Sequence, residues 1–182
     1  MNSQESITIK PARSPADLRD AATLFEAYAK WLNVDLTFQD FSTELSTLPG
    51  RYAPPSGEIL LARGATGAAL GCVGVRPISP EGCCEMKRLY VLPEARGLAL
   101  GKRLVKEIVD ITTSMGYSEI RLDTLQTMTR AIALYEKAGF VRIARYYDNP
   151  YPDVVYLGCK LQKVREAVEM VGIEKADALK TL

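Results

Sequence analysis

The feature that most constrains the fold is a stretch near the middle of the chain, where a strand-like pattern changes to a helix-like pattern across a tight turn. A mainly apolar run covers residues 83–92, and Pro93 follows it. Beyond the turn, apolar side chains recur on one helical stripe that ends at Gly116: Leu100, Leu104, Ile108, Ile111 and Met115. The start of such a helix exposes unpaired N–H groups and the positive end of the helix dipole. We therefore predict that residues 96–102 form an anion-binding turn.

The other segments predict a mixed α/β fold. Ser14 and Pro15 are typical of the start of a helix, which we expect to run to about Leu32, and a second amphipathic helix covers residues 38–48. Predicted strands cover residues 7–9, 59–62, 69–75, 83–92, 118–125, 140–145 and 154–161, and a further helix covers residues 128–138. This order predicts a mixed sheet with helices on both faces.

Length and charge restrict the organisation of the chain and its partners. The 182 residues fit one domain, which we place at residues 1–161, followed by a helical extension over residues 162–182. Because 23 basic residues nearly cancel 22 acidic ones, the chain lacks the basic excess of a nucleic-acid-binding protein. No stretch is apolar enough to span a bilayer or to act as a leader, so we expect a cytoplasmic protein without membrane contact.

The cysteine and histidine content excludes several kinds of chemistry. The four cysteines form no C-x-x-C pair and the chain has no histidine, so we expect reduced thiols and no metal site. Nucleophilic catalysis of the Ser-His-Asp or Cys-His kind cannot be assembled. A general base must therefore be a carboxylate, a tyrosine, a lysine or a water molecule.

The anion-binding turn differs from a Walker loop, because three residues rather than four separate Gly97 from Gly101, and Arg103 follows Lys102. It resembles the acyl-CoA signature of the GNAT superfamily, Q/R-x-x-G-x-G/A, with Arg96 in the first position and Gly101 in the last. Ala99 replaces the usual central glycine. Since a residue at a helix start needs no positive φ, we expect donor binding to survive this change. An ordinary strand-to-helix connection is the alternative interpretation.

A second motif, in residues 131–140, resembles the A-x-x-x-Y-x-x-x-G-F helix of the same superfamily. The resemblance implies that Tyr135 lies near the sulfur of the donor and protonates the departing thiolate. Met128 stands where an asparagine often contacts the pantetheine arm, so that polar contact is replaced by an apolar one. The alternative for Tyr135 is a purely structural aromatic side chain in the core.

The resemblance extends from Ile7 to Leu161 and implies the GNAT fold, with a sheet of about seven mostly antiparallel strands. It implies acetyl-CoA as co-substrate, bound by backbone groups of the incoming strand and by the turn. The implied donor-binding residues are Leu89, Tyr90, Val91, Arg96, Gly97, Leu98, Ala99, Gly101, Lys102 and Met128. Residues 85–91, 122–125 and 146–150 are most similar to a small-molecule-type subgroup whose acceptors are mostly unassigned.

The acceptor side is less constrained by the sequence. Glu85 resembles the position of a catalytic glutamate in several family members, so either Glu85 or a water molecule is the base; a structural ion pair with Lys87 is the alternative. Strand alternation puts Glu85 and Lys87 on one face and Arg88 on the other. If Lys87 or Arg88 faces the acceptor, the acceptor carries an anionic group besides its amine. The residues Tyr146, Tyr147, Asn149 and Tyr151 either line the acceptor site, as in similar family members, or pack as a rigid turn.

These observations favour transfer of an acetyl group from acetyl-CoA to a primary amine of a small molecule. Acetylation of a protein lysine or amino terminus is the second hypothesis. A non-catalytic module that binds coenzyme A is the third. We expect a monomer or a homodimer, and residues 162–182 form either an oligomer contact or a solvated helix.

Overall fold

The computed structural model describes residues 7–161 of the chain. Its elements, in chain order, are β1 (Thr8–Pro11), α1 (Pro15–Leu32), α2 (Phe41–Ser46), β2 (Glu58–Arg63), β3 (Ala69–Ile78), β4 (Cys83–Val91), α3 (Leu100–Ser114), β5 (Glu119–Leu125), α4 (Thr129–Lys137), β6 (Val141–Arg142) and β7 (Val154–Lys160). The strands form one seven-stranded sheet in the order β1-β2-β3-β4-β5-β7-β6. Every neighbouring pair is antiparallel except β4 and β5, which confirms the predicted mixed, mostly antiparallel sheet.

Helices cover both faces of the sheet, as predicted, because successive strand side chains point to opposite faces. On one face, α3 and α4 bury Leu104, Ile108 and Tyr135 against side chains such as Leu60 and Leu122. On the other face, α1 buries Leu24 and Phe25 against Ile59, Leu61 and Tyr90. None of the helices within residues 7–161 is long and apolar enough to cross a membrane.

Two predicted elements are shorter in the structure, and a third lies outside residues 7–161. The predicted helix 38–48 is divided into a 3₁₀ turn, Thr37–Gln39, and α2, because Asp40 adopts a left-handed conformation with φ of 54°. The predicted strand 140–145 pairs only at Val141–Arg142, since the chain then turns Tyr146 and Tyr147 toward the sheet face. The predicted helical extension, residues 162–182, lies outside the described residues.

The strand pair β4–β5 determines where a ligand can enter the sheet. The two strands pair over three residues only, Cys83–Glu85 with Glu119–Arg121, and then diverge. A bulge lies on the other side of β4: the pairing passes from Cys72–Tyr90 to Gly74–Lys87, so one residue of β3 spans two of β4. Arg88 occupies this bulge with φ of 59°.

The bulge overturns the prediction that Arg88 lies on the face opposite Glu85 and Lys87. The left-handed residue breaks the strand alternation, so Arg88 joins them on the face of α1 and α2. Its guanidinium donates two hydrogen bonds of 2.9 Å to the carboxylate of Glu44 in α2 and lies 4.9 Å from the ring centroid of Phe41. Burial raises the pKa of Glu44, but the hydrogen bonds and charge of Arg88 outweigh it and hold that pKa below its usual value. A buried ion pair therefore attaches α2 to the bulge.

Candidate functional site

A cleft opens where β4 and β5 diverge. Its walls are formed by Leu89 of β4, Thr124 of β5 and Tyr28 of α1, and Met128 and Tyr135 close its inner side. Because β5 does not pair with β4 beyond Glu85, the edge of β4 from Met86 to Val91 offers backbone groups that an extended ligand can pair with. The predicted donor residues Leu89, Met128 and Tyr135 thus lie together, and we call this space the donor cleft.

The predicted anion-binding turn joins β4 to α3. Ala99 is the N-cap of α3, and its side chain makes no capping hydrogen bond, so the first amides of the helix are not covered by their own cap. Lys102, in the first turn of the helix, is exposed and adds a positive charge. These features fit a diphosphate group.

One expectation about this turn is wrong. Ala99 adopts φ of 55° and ψ of 19°, a left-handed conformation, although we predicted that the helix start would not require a positive φ. Two residues of this turn have a positive φ: Gly97, with φ of 91°, and Ala99. A glycine adopts this conformation without strain, whereas alanine does so at a cost of about 1 kcal/mol. The replacement of glycine by Ala99 therefore strains the turn.

Arg96 is exposed, but its side chain contacts the protein rather than extending into solvent. Its Nε donates to the carbonyl of Val91 at 3.2 Å, and its guanidinium lies 5.2 Å from the ring centroid of Trp31 and 5.9 Å from that of Tyr90. Arg96 thereby attaches the anion-binding turn to α1. Trp31 is the single tryptophan of the chain, so its fluorescence reports on the surroundings of this turn.

Tyr135 extends from α4 into the donor cleft and is only 7% exposed. Its ring packs 5.9 Å from that of Phe140, which fixes its orientation. Burial, and to a lesser extent the negative charges around it, raise the pKa of Tyr135, so the phenol stays protonated at neutral pH. A protonated phenol in this cleft can donate a proton.

A second cavity, which we call the acceptor cavity, lies beside the donor cleft on the face of α1 and α2. Glu85 of β4 lies in its wall together with Tyr146 and Arg76. Arg76 donates two hydrogen bonds to Glu85 Oε2 at 2.9 and 3.0 Å, and the Tyr146 hydroxyl donates one to Oε1 at 2.8 Å. Lys87 Nζ lies farther from Oε1, at 3.9 Å. Glu85 is therefore a fully paired carboxylate at the wall of this cavity.

Asp123 is a site residue that sequence reasoning missed. Its carboxylate accepts hydrogen bonds from Lys87 Nζ at 3.0 Å and from the Tyr147 hydroxyl at 2.8 Å, and Asn149 in turn donates to that hydroxyl at 2.8 Å. Burial raises the pKa of Asp123, but the charge of Lys87 and these hydrogen bonds outweigh it and leave that pKa below its usual value. The sequence signal that could have indicated Asp123 is its place among the polar residues that alternate with apolar ones along β5.

The donor cleft and the acceptor cavity share three residues: Phe38, Gln39 and Lys87. They mark the junction at which a donor in the first space would meet an acceptor in the second. Sequence reasoning did not assign Phe38 and Gln39 to a site, because their segment has the pattern of an uninterrupted amphipathic helix.

The predicted acceptor residues divide between the two spaces. Tyr146 and Tyr147 line the acceptor cavity, whereas Asn149 and Arg88 line the donor cleft, and Lys87 lines both. The two cationic side chains that were expected to face the acceptor are each bound to a carboxylate, Lys87 to Asp123 and Arg88 to Glu44. Their charges are thus compensated within the protein.

A polar contact joins the loop after β6 to the segment after α1. The Tyr151 hydroxyl accepts from the Asp35 amide at 3.0 Å and donates to the Asp35 carbonyl at 3.2 Å. The Tyr151 ring also packs 5.9 Å from that of Phe38. These contacts bridge the two segments that flank the junction.

Comparisons with known proteins identify the class. The sequence model of the acetyltransferase (GNAT) family matches residues 24–140. An uncharacterized N-acetyltransferase of Schizosaccharomyces pombe is 46% identical over 163 residues, which cover 90% of this chain and 100% of that protein. An uncharacterized N-acetyltransferase of Dictyostelium discoideum is 31% identical, over 76% of this chain and 92% of its own length.

Solved structures agree on the fold. A GNAT-family acetyltransferase from Staphylococcus aureus superposes with a TM-score of 0.73 at 18% identity, covering 86% of this chain and 100% of that one. The chain therefore belongs to the GNAT family and is an N-acetyltransferase. Acetyl-CoA is the donor that this family membership implies, and the turn and the open edge of β4 fit it. Within residues 7–161, no group of metal-binding side chains comes together.

The strain at Ala99 predicts an effect on the donor. We expect Ala99→Gly to tighten acetyl-CoA binding severalfold, because it removes a methyl group beside the predicted phosphate position and relieves the left-handed strain. The melting temperature should stay equal or rise, since the relief of about 1 kcal/mol offsets the entropy that glycine adds to the unfolded chain. Titration followed by Trp31 fluorescence or calorimetry measures the affinity.

Leu98→Gly is the matched control, because Leu98 lies in the same turn and does not have a positive φ. It should lower the melting temperature without tightening donor binding. Weaker acetyl-CoA binding by Ala99→Gly than by the unchanged chain would contradict this account of the turn.

Proposed function

We propose that this N-acetyltransferase transfers the acetyl group of acetyl-CoA to the primary amine of a small molecule. The observation that carries the proposal is the bridge from Tyr151 to Asp35 and Phe38. An extended peptide needs a groove that passes between the segments on either side of the reacting amine. In this protein the segment after α1 and the loop after β6 are joined by these contacts, so we expect the acceptor to enter a bounded cavity.

The positions of the two spaces support direct transfer. The donor cleft contains the open edge of β4 and Tyr135, and the acceptor cavity contains Glu85 and the two tyrosines of the final loop. Because the spaces meet at Lys87, an amine in one can approach a thioester in the other without a covalent intermediate on the protein. The absence of histidine from the sequence is consistent with a direct attack.

The proposed acid is Tyr135. As the amine nitrogen forms its bond to the acetyl carbon, the carbon–sulfur bond of the thioester breaks and the thiolate leaves. The phenol of Tyr135 supplies the proton that the sulfur takes up, and the proton that the nitrogen loses as the amide forms returns to the phenolate through water. Burial, which raises the pKa of Tyr135, keeps that proton on the phenol until the thiolate forms.

The proposed base is Glu85 or a water molecule beside it. An alkylamine is mostly protonated at neutral pH, so a proton must leave before the nitrogen can attack. Both oxygens of Glu85 already accept hydrogen bonds, from Arg76 and Tyr146, which favours transfer through water over direct contact. Asp123 is less suited to this role, because it lines the donor cleft and not the acceptor cavity.

The acceptor class is tested with acetyl-CoA and two separate pools, one of small-molecule amines and one of peptides with lysines and free amino termini. We expect acetylated small molecules by mass spectrometry, with stoichiometric release of thiol, and little modification of the peptides. Efficient acetylation of peptides alone would contradict the proposal. Donor binding without thiol release from either pool would indicate a module that binds coenzyme A without turnover.

Tyr135→Phe tests the assigned acid. Removing the hydroxyl should lower kcat by about 100-fold, within the range that general acid catalysis contributes, and leave acetyl-CoA affinity nearly unchanged. Tyr117→Phe is a suitable control, because Tyr117 donates its hydroxyl hydrogen bond to Ser56 and lines neither the donor cleft nor the acceptor cavity. Unchanged kcat in Tyr135→Phe would remove this residue from the mechanism.

A further inference from the structure

Among the described residues, the wall of the acceptor cavity contains one cationic side chain that forms no ion pair with a carboxylate. Three cationic side chains lie in its wall: Arg76, Lys87 and Arg51. Arg76 is bound to Glu85, and Lys87 is bound to Asp123. Within the described part of the chain, Arg51 forms no ion pair with a carboxylate. The wall also contains Asp148, but that carboxylate is bound to Arg145.

Arg51 is directed at the cavity by the structure around it. It lies in the 3₁₀ turn Gly50–Tyr52, and the next side chain, Tyr52, is buried and donates a hydrogen bond to Glu44 at 3.0 Å. Nη2 of Arg51 donates to the carbonyl of Pro77 at 2.7 Å. One contact is thus made to the backbone, while the remaining guanidinium N–H groups are available to a ligand.

The opposite end of the acceptor cavity contains a buried side-chain oxygen to which no described residue donates a hydrogen bond. At the junction with the donor cleft, the side-chain oxygen Gln39 Oε1 is buried and has no hydrogen-bond partner among the described residues. A buried acceptor of this kind requires a donor, and an amine N–H is a donor. The amine end of an acceptor molecule therefore belongs at Gln39, close to the donor cleft.

The two ends are well separated. Arg51 is held at Pro77, which pairs with Cys84, whereas the junction lies at Lys87 on the same strand. At about 3.3 Å per residue, Cys84 and Lys87 lie roughly 10 Å apart along β4, and we use this backbone separation as the spacing of the two ends. An α-amino acid, whose amine and carboxylate flank a single carbon, is too short to contact both ends.

We propose that the acceptor is an ω-amino acid or an aminoalkyl phosphate, with its amine at Gln39 and its anionic group at Arg51. This assignment rests on the proposed function and adds the chemical class of the small molecule. Arg51 is the specificity-determining residue, because it supplies the positive charge that no carboxylate of the cavity compensates. A polyamine is disfavoured, since Glu85 and Asp123 are already bound to cations.

The test compares ω-amino acids of increasing length with uncharged alkylamines of matching length, in the full chain with acetyl-CoA. We expect kcat/KM to be higher for the ω-amino acids, with an optimum at γ-aminobutyrate or longer. Arg51→Met should lower kcat/KM for the ω-amino acids by about 10- to 100-fold through KM, as expected for loss of a charged hydrogen bond. Its effect on alkylamines should be small, and Arg51→Lys should restore part of the loss.

Two further variants complete the test: one is a control, and the other tests the amine end of the acceptor molecule. Arg142→Met removes an exposed arginine of β6 that lies outside both spaces, and it should change neither series. Gln39→Leu should raise KM for both series alike, because both carry the amine.

The possible negative results distinguish failure of the Arg51 assignment from failure of the proposed function. Equal losses for both series in Arg51→Met, or a preference of the unchanged chain for alkylamines, would overturn the assignment of Arg51 and leave the proposed function standing. Absence of thiol release with every small amine would overturn the proposed function, and this assignment with it.

Discussion

The divergence of β4 from β5 is the constraint on which the rest of the site depends. Parallel pairing ends after three residues, and the bulge at Arg88 bends β4 where the strands separate. The buried pair between Arg88 and Glu44 holds α2 against this bulge. Without the separation, the amides of residues 86–91 would be consumed by the sheet and Tyr135 would have no cleft to face. A local irregularity in one strand thus opens the space that we named the donor cleft.

Charge compensation has a comparable effect on the acceptor side. Glu85 with Arg76 and Asp123 with Lys87 place four ionisable groups on a face that would otherwise exclude them. The tyrosines of the loop before β7 complete these networks, since Tyr146 donates to Glu85 and Tyr147 to Asp123. The cavity is therefore polar without a large excess charge, and Arg51 adds a cation that forms no ion pair among the described residues.

The sequence predicted the fold and its periodic elements well, whereas the assignment of the donor and acceptor residues stays a prediction. Helix α1, the strands and the turn before α3 follow from local patterns, so their positions could be inferred from residue types. The conformations of Arg88 and Ala99 could not, because a positive φ at a residue other than glycine results from tertiary packing. Asp123 was missed for a related reason: its partners Lys87 and Tyr147 are distant in sequence, and only the fold brings them together. Gln39 was missed because its segment has the pattern of one continuous helix, whereas the structure divides it at Asp40.

We propose that the open edge of β4 and the first turn of α3 bind the donor. Hydrogen–deuterium exchange with and without acetyl-CoA tests it most directly, because it reports on individual backbone amides. We expect slower exchange for amides within residues 89–91 and 100–102 when the donor is present, and no change in β6 at the far edge of the sheet. Saturating acetyl-CoA that left exchange in both of those segments unaltered would contradict the account.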